Sequence, residues 1–85
     1  MIVKETKYLV FQIIKVNAKT REVLVINKKS YSPIGIIKWY FPWRQYILNP
    51  YSNTVWSKGC LQDVMNVMDL INQLSRKGLS DESME

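Results

Sequence analysis

Ten consecutive residues, Ile37-Lys38-Trp39-Tyr40-Phe41-Pro42-Trp43-Arg44-Gln45-Tyr46, hold the densest chemistry in this chain. Seven of its ten aromatic residues fall between positions 39 and 56: Trp39, Tyr40, Phe41, Trp43, Tyr46, Tyr51 and Trp56. Lys38, Arg44 and Lys58 are interleaved with them. Flat aromatic faces stack on nucleobases at about 1–3 kcal/mol each, and lysine or arginine neutralises phosphate. A guanidinium beside a tryptophan, as in Trp43-Arg44, also stacks or holds a phosphate through two parallel hydrogen bonds. Against this stands the ordinary use of tryptophan and tyrosine, which fill small cores because each buries a large area. The positions divide on that question. Trp39 and Trp56 fall in predicted strands and read as core, whereas Trp43 and Arg44 fall at a turn and read as exposed. The candidate binding set is therefore Lys38, Tyr40, Trp43, Arg44, Tyr46 and Lys58.

Other chemistries find little support in the residues. The chain has no histidine and one cysteine, Cys60, which excludes an internal disulfide, Cys/His zinc sites and any histidine-based catalysis. Cys60 has no basic partner of that kind and reads as a small core residue. Asp63 and Asp69 are six residues apart on a predicted helix and do not share a face, so they form neither a metal site nor an acid/base pair. The three glycines stand alone, with no phosphate-cradling loop. The expectation is a binding protein without catalytic activity, cofactor or metal.

Charge favours anionic partners. Residues 1–58 carry ten Lys/Arg against Glu5 and Glu22, whereas the tail from Gly78 is acidic through Asp81, Glu82 and Glu85. The net +5 thus understates a basic body. Isolated residues such as Lys4, Lys19 and Lys28 read as solvating strand faces and edges. No apolar run approaches the ~20 residues of a membrane span, and Met1 to Lys7 is too polar for a signal peptide. The expected location is a reducing cytoplasm.

The elements that must position these residues are read from periodicity. Tyr8 to Val16, Glu22 to Asn27, Ile34 to Tyr40, Arg44 to Leu48 and Thr54 to Ser57 are short runs rich in β-branched and aromatic residues. Asn17-Ala18-Lys19-Thr20, Lys28 to Pro33 and Asn49 to Asn53 supply the turns, and Pro42 breaks the third run from the fourth. After Gly59 the period changes. Leu61, Val64, Met65, Met68, Ile71 and Leu74 recur at helical steps, with Ser57 as N-cap and Gly78 as the stop. Asp63 and the Arg76/Lys77 pair are placed to suit the helix dipole. The fold class is α+β: an antiparallel meander of about five short strands followed by one amphipathic C-terminal helix packed on the sheet. One domain spans 1–77, and 78–85 forms a mobile acidic tail.

Strand patterning adds a further constraint. In Ile34 to Tyr40 and in Leu9 to Val16 apolar side chains point both ways, where a half-exposed sheet would alternate with polar ones. One helix covers one face. The second face calls for self-association, a ligand or a macromolecular partner, unless the sheet curls enough to bury part of both faces on itself.

The run GIIKWYFPWRQYILNP, followed by TVWSKGCLQDV, resembles a family of small phage- and prophage-encoded proteins. The pattern comprises Gly35, Ile37, Lys38, Trp39 and Tyr40, then Pro42, Trp43, Arg44, Gln45 and Tyr46, then Gly59, Cys60, Leu61 and Asp63. The resemblance covers roughly the middle half of the chain and implies a viral or mobile-element origin without an assigned activity. Proteins of that kind often act on host machinery or defence. Topologically, Pro42-Trp43 to Leu74 is also similar to the plant ethylene-response-factor DNA-binding domain, which lays a sheet in the major groove. This chain lacks that domain's arginine-rich first strand, so base-specific reading is not implied. Two functions follow as expectations. One is binding of nucleic acid or a nucleotide through the aromatic and basic surface. The alternative is inhibition of a host protein by docking of the apolar face.

Overall fold

The computed structural model describes the backbone of residues 2–84 and the side chains of residues 2–74. Five strands, β1 (Ile2–Glu5), β2 (Leu9–Val16), β3 (Arg21–Asn27), β4 (Pro33–Tyr40) and β5 (Gln45–Pro50), precede one helix, α1 (Lys58–Met84). Each strand pairs antiparallel with its neighbour in sequence, in the order β1-β2-β3-β4-β5. This is the expected meander with a C-terminal helix.

The strand inventory differs from the expected one at both ends. Ile2–Glu5 forms an edge strand that sequence reading passed over, with Lys4 opposite Phe11 and Glu5 opposite Val10. Its two charged residues mask the β pattern, and they suit an edge strand, which has solvent on one side. Thr54 to Ser57, expected as the fifth strand, lies in the connection between β5 and α1. Thr54 Oγ1 donates to the Tyr51 carbonyl at 2.7 Å, and the Trp56 Nε1–H donates back to Thr54 Oγ1 at 2.9 Å. The chain therefore leaves the sheet edge and crosses onto its face. The likeness to the plant DNA-binding domain required a strand at Val55-Trp56 and fails there.

Trp56 lands on Gly35 of β4. A Cβ at position 35 would lie 3.0 Å from Trp56 Cζ2 and 3.3 Å from the Asn49 carbonyl oxygen. Any side chain there would crowd the indole and the Asn49 carbonyl, so glycine allows the close approach. The connection then enters α1 through Ser57, whose Oγ accepts the Cys60 N–H at 3.1 Å, the expected N-cap.

The core is the inner face of the sheet and one side of the helix. Leu9, Phe11, Val23, Val25 and Ile37 meet Val64, Val67 and Ile71, with Tyr46, Leu48, Trp56, Cys60 and Met68 packed around them. The buried helical stripe differs from the expected one. Val67 replaces Leu61, Met65 and Leu74, which are exposed. Two overlapping stripes share Val64 and Ile71. Both stripes are apolar at helical steps, so spacing does not choose between them and packing against the sheet does.

The helix begins at Lys58, which leaves Asp63 beyond its first turn, and its backbone continues through Gly78 to Met84. The expected stop at Gly78 is not made. Such a stop relies on a left-handed glycine, and among the described residues no glycine has positive φ. The acidic side chains of 78–85 lie outside the described residues.

The outer face of the sheet carries no helix. Cross-strand pairs Gln12/Leu24, Leu24/Ile36 and Lys38/Ile47 place Leu24, Ile36 and Ile47 together on it, beside Val10 and Ile26. Val10 is buried and the other four are half-buried. The surplus apolar surface read from the strands is therefore present, with four of its five residues half-buried.

Candidate functional site

Strand β4 ends at Tyr40, and Pro42 then stops the ladder because proline has no N–H to donate. Phe41–Trp43 form a single 3-10 turn, and the Arg44 N–H closes it on the Phe41 carbonyl at 3.1 Å. Arg44 sits at φ 51°, ψ 46°, in the left-handed region that costs a non-glycine residue about 1–2 kcal/mol. The turn restores the register, with Tyr40 opposite Gln45 and Trp39 opposite Tyr46. Its aromatic side chains project outward: Phe41 is 76% exposed and Trp43 66%. Tyr40 steadies Trp43 edge to face, with ring centroids 5.1 Å apart and planes at 85°.

Beneath this hairpin lies an open cleft of about 880 Å³. Its walls come from three separated segments: the β2–β3 turn with Lys19, the β4–β5 hairpin with Lys38, Phe41, Arg44 and Tyr46, and helix α1 with Met68 and Asp69. Trp39 and Tyr46 form the floor, edge to face at 5.2 Å and 83°. The Arg21 N–H donates to the Tyr46 hydroxyl at 3.3 Å, which ties the floor to β3. Among the described residues Lys19, Lys38 and Arg44 have no carboxylate partner, since the ion pairs formed are Lys15–Glu22 and Lys28–Glu5. Glu22 and Asp69 are the acidic groups of the lining, and Glu22 already faces Lys15 at 3.8 Å.

The structure thus brings Lys38, Arg44 and Tyr46 to the cleft, whereas Tyr40 and Trp43, in contact with one another on the adjoining hairpin turn, lie outside its lining. Lys58 stands apart. It opens α1 two residues after Trp56, at the Gly35 end of β4, five residues or about 17 Å along the strand from Tyr40. Tyr46 serves partly as core, packed against the buried cluster. Among the lining residues outside the expected set are a further exposed ring and a further cation. Phe41 lines the cleft within the aromatic run itself, whereas Lys19 sits in a polar turn with no local signal and is brought in by the β2–β3 hairpin. Among the described residues no three carboxylate, cysteine or histidine side chains are gathered to hold a metal, and no helix is long and apolar enough to cross a membrane.

The architecture defines a class: small single-sheet proteins in which a neighbour-to-neighbour meander is backed by one helix. An uncharacterised 9.3 kDa protein of Acholeplasma phage L2 is 39% identical over 75 residues, which cover 87% of this chain and 92% of that protein. The chain belongs to the same family of small phage proteins. No protein-family model matches it, and no solved structure does so.

Proposed function

We propose that this phage protein is a non-catalytic accessory protein that binds nucleic acid or a nucleotide at the cleft beneath the Tyr40–Gln45 hairpin. One observation carries the reading. The exposed ring of Phe41, the half-buried rings of Trp39 and Tyr46 and three cations without carboxylate partners among the described residues line one open cleft from segments far apart in sequence, and the exposed Trp43 stands on the turn that carries Phe41. Rings buried for stability alone would not be held outward on a turn closed by a left-handed arginine. Stacking on Phe41 and Trp43 and phosphate neutralisation by Lys19, Lys38 and Arg44 use each of these groups for what it does best.

The test is a titration of tryptophan fluorescence with DNA, RNA and a panel of nucleotides at two salt concentrations, repeated with Arg44→Ala. Saturable quenching that weakens with salt, and weakens strongly in Arg44→Ala while the thermal melt is unchanged, is the expected result. Unchanged affinity in Arg44→Ala removes Arg44 from the site, and absence of any response rejects the reading.

A second reading rests on a different observation, the uncovered outer face with Leu24, Ile26, Ile36 and Ile47. An apolar sheet face of this kind suits a host protein or a second copy of the chain. Sedimentation at micromolar concentration separates the two, and affinity there would depend little on salt.

A further inference from the structure

We infer that the ligand at this cleft is a single strand of nucleic acid, a few nucleotides long at the contact, in preference to a duplex or a free mononucleotide. The inference rests on the nucleic-acid reading above and narrows it.

The rings decide against a duplex. Phe41 and Trp43 are two residues apart on a 3-10 turn, where each residue advances about 120°, so the two side chains diverge. Bases within a duplex are stacked on both faces and have no free face to offer them, and opening a step for a wedge is costly. An unpaired strand presents its bases singly, and aromatic residues stack on them without regard to sequence.

The enclosure decides against a mononucleotide. Sites for small molecules bury most of the ligand, commonly about 70–90% of its surface. Here Phe41 lines the cleft, whereas Trp43, on the same turn, lies outside the lining. A ligand that meets both rings must run out of the cleft and past the hairpin tip. Lys19, Lys38 and Arg44 line the cleft from two separate hairpins, Lys38 from the sheet face it shares with Ile47, and three cations match about three successive phosphates on one strand. Asp69 forms part of the helical wall and repels phosphate, whereas Glu22, the carboxylate on the hairpin side, is offset by Lys15 at 3.8 Å.

The experiment compares three probes by fluorescence anisotropy or competition: a labelled ten-nucleotide oligothymidine or oligouridine, a blunt hairpin duplex of the same length, and the matching mononucleotide. The single strand is expected to bind at least about tenfold more tightly than either of the others, the scale of one stacked base. Its log affinity should fall with log salt at a slope of about −2, three phosphate contacts on a single strand. Phe41→Ala and Trp43→Ala should each weaken it about tenfold with the slope unchanged. Lys38→Gln should reduce the slope by about 0.7. A duplex or mononucleotide that binds as tightly as the single strand overturns the inference while leaving the site in place. No binding by any probe overturns the site and this inference with it. Thermal melts of the variants confirm that they remain folded, as their exposure leads one to expect.

Discussion

At the Gly35 end of β4, Trp56 lies against a glycine, its N–H bonded to Thr54 and its ring packed on the core. At the Tyr40 end, Trp43 stands on a proline-containing turn with two-thirds of its surface in solvent. Both sit near a proline or glycine in sequence. Their fates differ because of the partner opposite. At position 35 a missing side chain leaves a slot of indole width, whereas at position 43 the only neighbouring ring is Tyr40, which meets Trp43 at right angles and buttresses it. One tryptophan closes the fold and the other is displayed by it.

That contrast can be broken most directly at its buried end. Trp56→Ala should lower stability by about 3 kcal/mol, through lost packing and a lost hydrogen bond. For a domain of this size, with a total on the order of 5–10 kcal/mol, urea unfolding should show the midpoint falling sharply. Gly35→Ala attacks the same contact from the other side and should cost about 1–3 kcal/mol, since the Asn49 carbonyl and the indole must both move. At the exposed end, Arg44→Gly sharpens the comparison. It relieves the left-handed backbone and should raise stability by up to about 1 kcal/mol, while ligand affinity falls because a cation is lost. Trp43→Ala should leave the urea midpoint within about 0.5 kcal/mol of the parent, the range of exposed positions. Equal destabilisation by Trp43→Ala and Trp56→Ala would show that both rings serve the core.

Sequence periodicity made most of this architecture legible. Strands β2 to β5 follow from runs of β-branched and aromatic residues bounded by turn residues, and the helix from its apolar spacing and the N-cap at Ser57. The errors cluster where two local signals agree about residue type but tertiary partners decide the outcome. Ile2–Glu5 carries charges that disguise an edge strand, and Thr54–Ser57 carries β-formers in a segment whose tryptophan is drawn onto the sheet face. On the helix, Leu61 and Met65 are as apolar as Val64 and Val67, so spacing alone could not orient it. The site was legible in the same measure. Lys38, Tyr40, Trp43, Arg44 and Tyr46 are joined by one hairpin and so were found together. Lys58 was included by nearness in sequence and stands at the far end of a strand. Lys19 was overlooked because only the meander places its turn beside theirs.

Strand order has a kinetic consequence. Because every ladder joins strands adjacent in the chain, each pairing closes only a short loop, and no step in building the sheet waits for distant segments to meet. The one long-distance step is docking of the helix across β2 to β5. Refolding from urea should then be a single fast phase, on the order of milliseconds, quicker than barrels and sandwiches of similar strand content. A newly made chain would expose its unpaired edges only briefly.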